Sequence, residues 1–303
     1  MTREAKRFLS IGECMLEFAK DAAGGWRLGF AGDTLNTAWY FRAAAPESGW
    51  EVDYFTRLGT DPYSDQIVAF LMANGIGTAL ISRDSDRQPG LYLIDTRDGE
   101  RSFTYWRDQS AARRLADDEG ALAAAVLAAD AVYVSGITLA ILAPDRRRVL
   151  VDVMRAARDA GRLVAFDPNL RPRLWEDAGT MRAAITEAAA TATLVLPSFE
   201  DEAAAFGDAS PEVCARRYLA AGAGEVVVKN GGGEMWVAAG GRVTALGELP
   251  RVAPIDTTGA GDAFNGAYLA ARLSGRPPAT AARAGHALAS RVVRHRGALM
   301  PMD

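Results

Sequence analysis

Short apolar runs recur along the chain, each bounded by polar or glycine-containing sequence and followed by apolar positions at helical spacing. Phe8–Ile11 and Val52–Thr56 read as early strands, and Ala131–Val134, Leu163–Phe166, Leu194–Leu196 and Val226–Val228 as later ones. Between them, Asp61-Pro62 opens a helix through Ile67, Val68, Leu71 and Met72, and Val149–Ala160 and Met181–Ala190 also carry helical spacing. Strands this short and uniformly apolar are buried on both faces. Their alternation with helices predicts a parallel sheet covered on both sides.

One segment breaks the rhythm. Leu91–Ile94 and Ser102–Trp106 flank Thr96-Arg-Asp-Gly99, which predicts an antiparallel hairpin with a glycine-containing turn. A hairpin ahead of the later β/α units implies a small sheet standing off the main one, either as a lid or as an edge elaboration. Its apolar residues, Leu91, Leu93, Phe103 and Tyr105 among them, would need a cover, so a homo-oligomer formed through this sheet is expected.

The chain has 303 residues, 49% hydrophobic and 24% charged, which is ordinary globular composition and fits one α/β domain. A net charge of −4 with scattered basic residues offers no field to attract phosphate backbones or anionic lipid. No nucleic-acid or membrane partner is therefore expected. Two distant cysteines, Cys14 and Cys214, form no metal-ligand spacing and fit a reducing compartment. The apolar stretch after the basic N-terminus is broken at Gly12-Glu13, and no apolar run reaches membrane-spanning length, so a cytoplasmic location is expected.

Candidate chemistry concentrates in Asp256-Thr-Thr-Gly-Ala-Gly-Asp262, which runs into a helix through Leu273. Glycines just before a helix leave backbone N–H groups open at its positive end, where an anion such as a phosphate binds. Asp262 falls in the first turn, where the helix dipole is expected to keep it ionised and able to accept a proton from an attacking hydroxyl. A glycine-rich helix start is also common in α/β proteins without any such role. No Gly-x-x-x-x-Gly-Lys-Ser/Thr segment occurs, and Phe264 stands where a dinucleotide fingerprint needs a small residue, so neither a Walker-type nor a Rossmann site is present.

The same segment closely resembles the C-terminal signature of ribokinase-like (PfkB-type) carbohydrate kinases, and Gly32-Asp-Thr-Leu-Asn36 resembles that family's substrate-binding element. Gly12-Glu-Cys-Met15, Pro89-Gly-Leu-Tyr92, Tyr105-Trp-Arg107, Ser135-Gly-Ile137, Asp167–Trp175 and Arg296-Gly-Ala298 are similar to the 2-keto-3-deoxygluconate kinases within it. The resemblance implies a single three-layer α/β/α domain over 1–303, with a mostly parallel sheet and a small β-sheet lid from segments near 13–31 and 89–108. It implies ATP and Mg²⁺ as cofactors and phosphorylation of 2-dehydro-3-deoxy-D-gluconate at its 6-hydroxyl. Another sugar kinase of this fold, such as a fructokinase or a 2-keto-3-deoxygalactonate kinase, is the neighbouring alternative, and a non-catalytic sugar or nucleotide sensor a more distant one.

Carried over by position, Gly32, Asp33, Thr34, Leu35 and Asn36 would line the sugar site, with Tyr92, Tyr105, Trp106 and Arg107 closing it from the lid. Asn169, Leu170 and Arg171 would lie where sugar and nucleotide phosphates approach. Lys229, Asn230, Gly231, Gly232, Gly233 and Glu234 would run beside the nucleotide. Gly259, Ala260 and Gly261 would form the anion hole, with Asp262 as base. His286, on a C-terminal helix, is either near the adenine or a packing residue. An acidic sugar needs a cationic fork, and Arg107 and Arg171 are the candidates, Arg171 equally for the transferring phosphate. No protein metal ligand is assigned, because Ser198-Phe-Glu-Asp201 stands where relatives carry Asn-x-x-Glu.

Overall fold

The computed structural model describes residues 5–20, 24–45, 49–97, 100–247 and 249–302. In chain order its elements begin β1 (Lys6–Ile11), β2 (Met15–Lys20), β3 (Trp26–Ala31), α1 (Asp33–Ala44), β4 (Trp50–Gly59), α2 (Pro62–Ala73) and β5 (Ile81–Asp84). Next come β6 (Leu91–Arg97), β7 (Glu100–Trp106), α3 (Glu119–Ala128), β8 (Ala131–Ser135), α4 (Gly136–Ile141), α5 (Pro144–Asp159), β9 (Leu163–Asp167) and α6 (Ala178–Thr191). The chain ends with β10 (Leu194–Val195), α7 (Phe199–Phe206), α8 (Pro211–Ala221), β11 (Glu225–Val228), β12 (Trp236–Ala239), β13 (Arg242–Ala245), α9 (Ala260–Leu273) and α10 (Pro278–Val292).

The apolar runs pair into a nine-stranded sheet ordered β13-β12-β11-β10-β9-β8-β1-β4-β5, in which β12 alone runs antiparallel to its neighbours β11 and β13. Alternate residues of each strand feed opposite layers, as the strand period requires. Val132 and Val134 of β8, Val164 and Phe166 of β9 and Val226 and Val228 of β11 pack on one face with α3, α5, α6 and α8. Ala131, Tyr133, Ala165 and Val227 pack on the other with α1, α2, α9 and α10. The three-layer expectation is met. Asp61 caps α2, accepting from the backbone N–H groups of Tyr63 and Ser64 at 3.0 and 3.1 Å.

A second sheet, ordered β3-β2-β6-β7, stands apart from the first. The expected hairpin supplies β6 and β7; its turn residues Asp98 and Gly99 lie outside the described residues. The other two strands form an antiparallel pair, and β2 joins β6 in parallel with Leu16 opposite Leu91. The chain passes between the sheets at residues 11–15, 31–33, 84–91 and 106–111.

Helices α1 and α9 make close contact. A side chain at Gly266 would place its Cβ 2.7 Å from the Phe41 amide nitrogen, so only glycine lets the two backbones meet. This crossing sets the two helix starts side by side. Among the described residues, no helix is long and apolar enough to cross a membrane.

Candidate active site

The site begins at the start of α9. Gly259 caps the helix with φ +74°, a left-handed conformation that favours glycine, and a Cβ there would lie 2.5 Å from the Ala298 carbonyl oxygen. Asp256 braces the preceding loop, accepting from the Thr258 amide at 3.0 Å, the Thr258 hydroxyl at 2.7 Å and the Gly297 amide at 2.6 Å. The Ala260 amide donates to Thr257 O at 3.2 Å, whereas the amides of Gly261 and Asp262 have no protein acceptor among the described residues. The open donors of this helix start therefore lie slightly later than the expected Gly259–Gly261 set.

Asp262, in the first turn, accepts a hydrogen bond from Asn36 Nδ2 at 2.8 Å. Loss of solvation and the nearby Asp33 carboxylate push its carboxyl up to about 8, outweighing the Asn36 bond and the Lys229 charge. The expectation that the helix dipole keeps this group ionised is thus corrected: burial among like charges dominates. A carboxyl raised in this way is a stronger base once deprotonated.

The start of α1 faces it. Gly32 fits because a Cβ there would collide with the Glu13 carbonyl oxygen. Asp33 accepts from Asn169 Nδ2 at 2.7 Å, and desolvation raises its carboxyl. Asn169 sits at φ 35°, the one non-glycine residue at positive φ among those described, and its amide donates to Asp167 at 3.0 Å. The Thr34 hydroxyl pairs with that of Tyr54 at 2.8 Å. Leu35 and Leu170 turn into the two apolar layers, so neither side chain lines the expected site, as their apolar character dictates.

Behind Asp262 lies a polar cluster. Lys229 Nζ donates to Asp167 Oδ2 at 2.8 Å and to Asn265 Oδ1 at 3.1 Å, while Asn265 Nδ2 donates to Asp167 at 2.6 Å. Sequence reasoning did not select Asn265, although it follows Asp262 by three positions and so shares its helix face. A cleft of about 830 Å³ opens from this cluster. Its walls include Lys229, Asn230, Gly231, Gly232, Gly233, Ala260, Gly261 and His286, as well as Ser198 and Asp201. Glu234 is not among them; its carbonyl accepts from Asn230 Nδ2 at 3.1 Å. Thr257 of the glycine segment also lines the cleft, as do Arg251, Val252, Pro254 and Ser290, which carried no signal in the sequence. Arg171 donates to Leu170 O and lies 3.3 Å from Asp201 at the exposed margin.

On the small sheet, Tyr92 is buried and donates its hydroxyl to Glu17, with its ring 5.6 Å from that of Tyr105. Tyr105 and Trp106 are 50% and 56% exposed, and strand alternation sends them to opposite faces. Arg107 is buried, ion-paired with Glu13 and 5.9 Å from the Tyr105 ring. Elsewhere Glu202, Asp208 and Cys214 come close enough to bind a metal. Arg217 instead bridges the two carboxylates at 2.7 and 2.6 Å and supplies the positive charge there.

This arrangement puts open helix-start amides, a raised carboxyl and a large cleft around one point, which suits transfer of an anionic group to a hydroxyl. Known proteins share both sequence and architecture. The chain is 39% identical over 305 residues to the 2-dehydro-3-deoxygluconokinase of Dickeya dadantii (strain 3937), covering 98% of each. Its fold matches the crystal structure of a PfkB protein from Polaromonas sp. JS666 with a TM-score of 0.82 at 30% identity, covering 96% of each chain. It also matches a putative ribokinase II from E. coli in complex with ATP and Mg²⁺, with a TM-score of 0.79 at 23% identity, covering 97% and 94%. The family description that fits residues 5–303 is that of the pfkB family carbohydrate kinases, and the chain belongs to that family.

Proposed function

We propose that the protein transfers the γ-phosphoryl group of ATP to the 6-hydroxyl of 2-dehydro-3-deoxy-D-gluconate, giving 2-dehydro-3-deoxy-6-phosphogluconate and ADP. The observation that carries this reading is the position of Asp262, between the open amides of the α9 start and the start of α1, where Asn36 holds it at 2.8 Å. Asp262 takes the proton of the 6-hydroxyl as its oxygen bonds to the γ-phosphorus and the bond to the ADP oxygen breaks. The amides of Gly261 and Asp262 hold the migrating group, whose charge they stabilise.

The roughly 830 Å³ cleft, floored by the glycines of 231–233, suits a nucleotide, with His286 beside it on α10. Held with ATP, Mg²⁺ would neutralise phosphate charge, and the carboxylates of Asp167 and Asp201 would be the protein groups that help to hold it. The small sheet is read as a lid over the sugar. Arg107, with Arg171 at the margin, would meet the sugar carboxylate, and Tyr105 would pack on the sugar.

The substrate class follows from these arginines and from the name of the similar Dickeya enzyme. ADP release measured across acidic and neutral sugars tests it: the 2-keto-3-deoxy acid should be used most efficiently, and neutral hexoses outcompeting every sugar acid would overturn it. Two buried free thiols, Cys14 and Cys214, support a reducing, ATP-containing compartment such as the cytoplasm. Exposed Trp26, Phe103 and Trp106 on the small sheet support a homo-oligomer formed through it. Light scattering at micromolar concentration should then give more than the monomer mass, and a monomer would refute it.

A further inference from the structure

Glu13 lies two residues beyond the end of β1 and is 2% exposed, with its carboxyl buried against Arg107. Its surroundings are unusual. The chain passes between the two sheets along four segments, and Glu13 touches or abuts all of them. It lies on the first; its carbonyl fills the place a side chain at Gly32 would occupy on the second; its Oε1 lies 2.8 Å from where a Cβ at Gly90 would stand on the third; and its Oε2 accepts from Arg107 on the fourth. Gly90 thus makes room for the carboxylate, and Gly32 for the backbone that carries it, at the junction of body and small sheet.

The ion pair is incomplete. Arg107 is 6% exposed, and both its Nε and the Glu13 Oε1 are buried without a hydrogen-bond partner among the described residues. Burying a pair with donors and acceptors left unmade costs stability rather than adding it, so stability alone does not account for the arrangement. It does hold a guanidinium at a fixed place: beside the Tyr105 ring, within electrostatic reach of Asp33 at the start of α1, and with donor capacity left for a ligand.

We propose that Glu13 is a positioning residue that fixes the Arg107 guanidinium at the junction of the two sheets and thereby sets affinity for the carboxylate of an acidic sugar. This rests on the reading of Arg107 as the sugar-carboxylate contact. Glu13 acts through Arg107, orienting its fork so that little freedom is lost when the ligand binds.

The test is steady-state kinetics with 2-dehydro-3-deoxygluconate and ATP on Glu13→Gln, alone and combined with Arg107→Lys. Glu13→Gln should raise KM for the sugar acid by about tenfold, the worth of one hydrogen bond to a charged group, with KM for ATP changed by less than about twofold. In the Arg107→Lys background the same change should have a clearly smaller effect, because the group that Glu13 positions is gone. An unchanged sugar KM, a parallel rise in both KM values, or full additivity with Arg107→Lys overturns the proposal. Should the variant fail to fold, a crystal structure of the unaltered protein with the sugar acid decides. Arg107 bound to the sugar carboxylate and still paired with Glu13 supports it, and Arg107 swung off Glu13 refutes it. A parent enzyme that prefers neutral sugars defeats the substrate reading itself, separately from any effect at Glu13.

Discussion

The Asn36 amide and the Asp262 carboxylate meet at 2.8 Å, joining the first turns of α1 and α9 across 226 positions of sequence. The bond stabilises the ionised form of a group that burial first, and then the Asp33 carboxylate, push toward the neutral one. Replacing the base while keeping its shape is the sharpest test. Asp262→Asn should lower kcat by about two to four orders of magnitude, the usual worth of general-base catalysis. Turnover equal to the parent would remove Asp262 from the mechanism.

The same substitution should make the protein more stable. The folded-state carboxyl is raised, so the native protein keeps its proton at pH values where the unfolded chain has lost it. Unfolding free energy therefore falls as pH rises from the ordinary aspartate range through about 8. Asp262→Asn removes that loss. Its thermal midpoint should exceed the parent's most above pH 8 and approach it near pH 4, as scanning calorimetry at several pH values would show. A midpoint below the parent's at pH 8 would contradict this assignment.

Catalytic pH dependence follows from the same group. In the free enzyme, kcat/KM should climb with pH and level off above about 8, as Asp262 loses its proton. Asn36→Ala removes a bond that favours the ionised form, so its rising limb should move to higher pH. A limb that stays in place would show that Asn36 does not tune the base.

Gly259→Ala combines two penalties. A side chain is disfavoured at φ +74°, and the added methyl would meet the Ala298 carbonyl at 2.5 Å. The conformational part alone costs about 1–2 kcal/mol, so the unfolding midpoint in urea should fall visibly. Displaced amides at the α9 start should also cost at least about tenfold in kcat/KM for ATP. Parent-like kinetics would place the phosphate elsewhere.

Arg107→Met leaves Glu13 buried without its partner, which should destabilise the fold by about 3–5 kcal/mol. Selectivity for acidic over neutral sugars should collapse in whatever protein remains folded. Selectivity that survives would assign the carboxylate to Arg171.

What the sequence disclosed divides along physical lines. The parallel strands were readable because burial on both faces leaves uninterrupted apolar runs such as Val226–Val228. Strands β12 and β13 were not anticipated, although Gly240 and Gly241, both at positive φ, join them in a tight hairpin. The glycine segment and Asp262 stood out because a helix start imposes local rules on adjacent residues. Glu13 and Asn265 did not, since their meaning comes from partners far along the chain, Arg107 and Asp167. The raised Asp262 carboxyl is illegible for the same reason: the dipole is local, whereas the burial of the group and the nearby Asp33 arise only from the α1–α9 crossing.

The small sheet is completed by two hairpins, β2–β3 and β6–β7, whose only direct pairing is the parallel contact of β2 with β6. During synthesis the earlier hairpin emerges long before the strand that completes it, with α1, β4, α2 and β5 made in between. Parallel pairing over such a separation is slow to form, and a lone two-stranded hairpin is marginal in water. The small sheet should therefore be among the last parts to assemble and among the first to come apart, with the main sheet outlasting it at both ends of the molecule's folded life.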